Sequence, residues 1–198
     1  MEIISNEQFS VFSKGYQNKK GQAVLAVRPQ QTQTIGWVGN YIKSERARWA
    51  TETLRNMVGQ ATKDELAEFK KLNFETATFN GIFSYRNARS LMAQSPFMVL
   101  DIDDLASYEE AQRVKHLLVS DPWVETALCF ISPKGMGVKW VVRVPQWAQN
   151  CDFRKAFTML QRYVGFKHGI VVDCSGSDIC RACFLPYDST CYIHQNYL

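Results

Sequence analysis

Nowhere in its 198 residues does the chain hold an apolar run near the roughly twenty residues a membrane helix needs, so no membrane partner is expected. The opening MEIISNEQFS lacks a basic segment followed by an apolar stretch, which argues against a secretory leader. A cytoplasmic location follows as the expectation, and the six cysteines would stay reduced there. There is no internal repeat, low-complexity tract or long linker, leaving one sizeable domain or two small, intimately packed subdomains. No GxxxxGK[ST] stretch occurs, so any P-loop ATPase working with the chain would have to lie elsewhere. Strong charge of either sign is missing too. Lys and Arg number 23 against 19 Asp and Glu, a balance that permits a polyanionic partner without demanding one.

Four cysteines cluster toward the C-terminus: Cys174, Cys180, Cys183 and Cys191, with His194 nearby. Cys180 and Cys183 have the spacing of half a zinc site, but Cys174, Cys191 and His194 supply no recognised second half. Cysteine is also among the most often buried residues, so zinc is not expected.

The N-terminal part suggests a strand at 22–27, a polar loop at 30–34, a helix over 44–58 and extended chain from Phe74 to Phe83. Thr62 and Glu65 have the spacing of a capping box opening a helix through Leu72. From Pro96 the pattern sharpens. Phe97 to Asp103 is an apolar strand ending in acid, and Ser107 with Glu110 opens a helix running to about Val119. Strands at 124–131 and 137–144 flank the turn Ser132-Pro-Lys-Gly135, followed by an amphipathic helix over 150–164 and a strand at 169–173. The order β-α-β-β-α-β predicts an α+β fold of the RRM-like or ferredoxin-like kind over about 96–175.

That plan would gather distant residues on one open sheet face. Asp101 and Asp103 share one face of the first strand, because side chains alternate, while Met98, Leu100 and Ile102 would meet the helices. Lys139, Val141 and Arg143 would share that face on the third strand, and Asp173 would end the fourth, beside the first. Paired carboxylates repel one another unless a cation joins them, and hard ions such as Mg²⁺ or Mn²⁺ favour carboxylate oxygen. The plainer alternative is an acidic turn leading into the next helix. Lys134 and Lys139 flank a glycine-bearing turn that could approach a phosphate or simply close a hairpin. Arg181 could meet a phosphate or form an ion pair with Asp173 or Asp178, and Arg86 could reach the same cleft or lie on a surface loop.

Together, Leu100 to Asp103 (LDID), Gly137 to Lys139 (GVK) and Val172-Asp173 resemble the marks of the archaeo-eukaryotic primase superfamily. The stretches FNGIFSYRNA, SPKGMGVK and DCSGSDICRACFLPYD are similar to its VirE-type N-terminal domains, found in mobile-element and phage replication proteins. The resemblance covers roughly Thr78 to the C-terminus. It implies an N-terminal α/β subdomain (1–95) packed on an RRM-like subdomain with a C-terminal extension (96–198), with the catalytic cleft between them. It further implies a primase-polymerase that uses DNA template, primer and nucleoside triphosphates beside a helicase-like ATPase. Asp101, Asp103 and Asp173 would then hold two divalent ions, and Lys139, Lys134, Arg181 and Arg86 would bind phosphate. One departure stands out: Lys139 occupies the position of the superfamily's histidine. Two other readings share the same residues, a non-catalytic nucleic-acid-binding module and a two-metal nuclease.

Overall fold

The computed structural model describes residues 7–149 and 151–198. The first six residues, where no leader is expected, and Asn150, the expected start of the amphipathic helix, lie outside the described residues. The fold is α+β, built on two four-stranded antiparallel sheets.

The first sheet begins with β1 (Phe9–Phe12), a strand buried along its whole length and therefore without the alternation that marks a half-exposed strand. β2 (Tyr16–Gln17) and β3 (Ala23–Val24) form a small separate hairpin, far shorter than the strand expected at 22–27. β4 (Gln31–Gln33) pairs with β1 where the sequence suggests only a polar loop. Three helices follow: α1 (Ile35–Lys43), α2 (Arg48–Met57) and α3 (Lys63–Asn73). The capping box opening α3 is present in full: Thr62 Oγ1 accepts from the Glu65 amide, and the Glu65 carboxylate accepts from the Thr62 amide. β5 (Thr76–Thr78) pairs with β1, while β6 (Gly81–Phe83) and β7 (Leu91–Gln94) make a second small hairpin.

The second sheet begins with β8 (Phe97–Ile102), followed by α4 (Tyr108–Val119) and the hairpin of β9 (Thr126–Ile131) and β10 (Val138–Arg143). α5 (Gln146–Gln149) is short. α6 (Phe153–His168) starts on an Asp152 cap and stops at Gly169, whose φ of 66° is the left-handed conformation that ends helices. Met98, Leu100 and Ile102 bury against Leu118 of α4 and Phe157, Leu160 and Val164 of α6, as strand alternation predicts. None of the helices in the described residues is long and apolar enough to cross a membrane.

Three expectations are corrected. The segment 169–173 forms no strand. It runs beside β8 with Asp173 N–H donating to the Asp101 carbonyl at 2.8 Å, while β12 (Tyr192–Ile193) takes the opposite edge, next to β9. Val171 is exposed and Asp173 caps a short 3₁₀ turn over Cys174–Ser177, so this stretch serves as a cap and not as a ladder. The β8 face bearing Asp101 is also not open. Phe97, Val99, Phe130 and Val141 bury against Phe9, Val11 and the α1 residues Ile35 and Val38, so only the end with Asp101 and Lys139 meets a cavity. Finally, Arg143 lies at the far end of β10 and pairs with Glu7 at 2.6 Å, away from the acids.

The C-terminal segment ties the two sheets together. β11 (Cys183–Phe184) adds to the first sheet at β5, and β12 adds to the second. Between them, Asp188 is almost wholly buried and reaches Lys115 of α4 at 3.3 Å and the amide of Ile131 at 2.9 Å.

Candidate metal and phosphate site

Antiparallel pairing sets Lys139 of β10 directly opposite Asp101 of β8. With side chains alternating, both point into the cavity that opens where the apolar faces of β8 and β10 end. Asp103 follows just past β8. Asp173 arrives on the segment hydrogen-bonded to Asp101, its carboxylate held by the amide and hydroxyl of Ser175. One carboxylate oxygen from each of Asp101, Asp103 and Asp173 lies within 4.8 Å of the others. Among the described residues this trio is the group of acids, histidines and cysteines close enough to hold a metal ion.

The charges are strongly coupled. Burial pushes the Asp101 carboxyl above its ordinary range, Lys139 opposes that push, and Asp103 and Asp173 add to it. Burial would lower the Lys139 amine, but the Asp101 carboxylate outweighs it and holds the amine above its usual value, so Lys139 stays charged. Its ammonium pairs with Asp101 Oδ2 and lies 3.8 Å from Asp103 Oδ1. Burial would raise Asp173 as well, yet the hydrogen bonds from Ser175 and the fields of Arg181 and Lys139 hold it below the normal carboxylate range.

The cavity measures about 310 Å³ and is lined from both ends of the chain. Lys134 and Arg181 reach it from the β9–β10 turn and the loop before β11, and Arg86 from the loop after β6. Among the described residues, no acid lies within 4 Å of the Arg181 guanidinium, so neither suggested ion pair forms. Two further cations were not anticipated: Lys70 and Lys71, in the last turn of α3. Cations there complement the helix dipole, so the sequence offers no sign of a second use. Burial, reinforced by Lys134 and Lys139, pulls the Lys70 amine below its ordinary value, and its ammonium sits 5.6 Å from the centre of the Phe184 ring.

The donor set fits a hard divalent ion such as Mg²⁺ or Mn²⁺: all oxygen and all carboxylate. Asp101 Oδ1 is buried with no partner, and so is the hydroxyl of Ser132, which lines the same cavity and is 2% exposed. Such orphaned polar atoms are costly unless a ligand satisfies them. The cysteines do not join the trio. Cys183 lines the cavity, but burial pushes its thiol up to about 12. Cys180 contacts Asp178, and Cys191 is buried before β12.

A family model described as "BT4734-like, N-terminal domain" matches residues 69–193. The chain belongs to that family. In this BT4734-like domain the matched span runs from the end of α3 to β12, so it holds the three acids and every cavity-lining cation named above. No curated protein and no solved structure matches the sequence.

Gly137 sets the spacing of the acids in the BT4734-like domain. A Cβ added there would stand 2.5 Å from the Ile102 carbonyl oxygen, 3.1 Å from Ser132 Oγ and 3.2 Å from Asp103 Oδ1. The first contact is with backbone, which cannot swing aside. Gly137→Ala is therefore expected to cost about 1–3 kcal/mol of stability by overpacking and to weaken Mn²⁺ binding by displacing Asp103. Urea denaturation and calorimetry check the two effects separately.

Proposed function

We propose that the chain is a DNA-dependent nucleotidyltransferase of the primase-polymerase type, working on a DNA template with nucleoside triphosphates. One observation carries this reading: three carboxylates lie within 4.8 Å of one another, and two of them, Asp101 and Asp103, line a cavity with Lys70, Lys71, Arg86, Lys134, Lys139 and Arg181. Acids alone would suit many metal sites, and cations alone many anion sites. Their union suits a substrate that is itself a metal-bound polyphosphate.

In this reading Asp101, Asp103 and Asp173 hold Mg²⁺ or Mn²⁺, which when bound would activate a 3′-hydroxyl and neutralise charge on the phosphates. Lys134, Arg86 and Arg181 bind the triphosphate oxygens, the arginines through planar forks and the lysine as a point charge. An anion beside Lys70 would offset the burial and the neighbouring lysines that pull its amine below its ordinary value. A new bond joins the 3′-oxygen to the α-phosphorus, and the bond from that phosphorus to the departing pyrophosphate breaks. The LDID, GVK and VD stretches resemble those of primases, which favours chain extension over hydrolysis and suggests mobile-element or phage-type replication in the cytoplasm, beside a helicase-like ATPase.

One observation favours the non-catalytic alternative: Lys139 stands in place of a histidine and pairs with Asp101. Incubation with Mn²⁺, primed and unprimed template and labelled nucleotides decides between the readings. Metal-dependent extension is the expected result. Cleavage of the template would replace the proposal with a nuclease, and retention of DNA without either reaction would replace it with a binding module.

A further inference from the structure

Lys139 supports an inference that rests on the metal-site reading and deepens it. We propose that Lys139 is an internal counter-ion that holds the three carboxylates together while the divalent ion is absent. It competes with that ion for Asp101, so that ion and polyphosphate load together.

The side chain of Lys139 is only 10% exposed, and its strand fixes it opposite Asp101. Its ammonium therefore has two destinations, the acids or the open part of the cavity. In the structure it takes the acids, pairing with Asp101 Oδ2 and approaching Asp103. Three carboxylates this close would otherwise repel one another, and the ammonium brings positive charge to them as a metal would.

An ion that binds Asp101 must share that carboxylate with the ammonium or displace it. A displaced ammonium would enter a cavity that already holds Lys70, Lys134, Arg86 and Arg181. Like charges crowded into a partly buried space repel strongly, and only an anion relieves them. A bare divalent ion therefore meets resistance, whereas an ion carrying a polyphosphate brings the group that receives the displaced ammonium. The two ligands bind with positive coupling, and the coupling runs through Lys139.

Calorimetry on the full chain tests this, using Mn²⁺ alone and a preformed Mn²⁺–tripolyphosphate complex. The wild type should bind the complex at least about tenfold more tightly than the bare ion. Lys139→Met should bind bare Mn²⁺ at least about tenfold more tightly than the wild type does, and the advantage of the complex should shrink. Its melting temperature should fall without metal and recover when Mn²⁺ is added, a response that a merely structural lysine would not produce. Lys139→Gln repeats each measurement with a polar, uncharged head that is easier to accommodate if the methionine variant folds poorly. Equal Mn²⁺ affinity in wild type and variants would overturn the counter-ion role and leave the metal site standing. No binding of ion or complex by any of the proteins would overturn the metal site and this inference with it.

Discussion

Asp188→Ala is expected to destabilise the fold by about 3–5 kcal/mol, since it strands a buried charge. Lys115 and Asp188 have side chains only 3% and 1% exposed, and they meet at 3.3 Å. Asp188 also accepts from the amides of Ile131 at 2.9 Å and Thr190 at 2.9 Å and from the Thr190 hydroxyl at 2.7 Å. Removing it leaves the Lys115 ammonium with the Thr190 carbonyl and hydroxyl alone and the Ile131 amide with no acceptor from Asp188. Asp188→Asn, which keeps an acceptor in place, should cost distinctly less. Urea denaturation followed by circular dichroism measures both. A loss below about 1 kcal/mol in the alanine variant would mean that the pair is not a structural lock.

In the proposed reaction, Asp101→Asn is expected to slow metal-dependent extension roughly a thousandfold, because losing a metal ligand would remove several kcal/mol of transition-state stabilisation at about 1.36 kcal/mol per decade. Asparagine keeps the shape but brings no charge to the trio. Asp104→Asn is the matched control. Asp104 is exposed, lies outside the trio and has a left-handed φ of 57°, a conformation asparagine tolerates well. Extension rates measured under Mn²⁺ should therefore separate two acids three positions apart that look alike in the sequence. Equal rates for the Asp101 variant and the wild type would remove the catalytic role.

Where local chemistry governs an element, the sequence reveals it. The capping pattern at Thr62 opens α3, the alternation along Phe97 to Asp103 makes β8, and the glycine-bearing turn at 132–135 closes the hairpin. The alternation also separates Met98, Leu100 and Ile102 from Asp101. Elements that depend on distant partners are hidden. α1 contains Gly36 and Gly39, which read as breakers. A Cβ at Gly36 would stand 2.2 Å from the Tyr197 carbonyl oxygen, and one at Gly39 would stand 2.5 Å from the Ile193 side chain. Those glycines admit the C-terminal segment, a requirement that no local pattern records. Likewise Ile170-Val-Val172 has the composition of a strand, but it forms no ladder with β8, which meets this stretch through the bond from the Asp173 amide to the Asp101 carbonyl. Lys70 and Lys71 escape notice because a helix end explains them without reference to a site.

The lacing of both sheets by the C-terminal segment bears on how the chain folds during synthesis. β11 joins β5 from more than a hundred residues away, and Asp188 locks onto α4 from 73 residues away. Closing such long loops is entropically slow, and each sheet lacks one of its edge strands until β11 or β12 has been made. Arg181 and Cys183, which form one wall of the cavity, come from the same late stretch. A nascent chain therefore carries the paired acids of β8 before it can enclose them, and the cavity gains that wall only after the later stretch has been made.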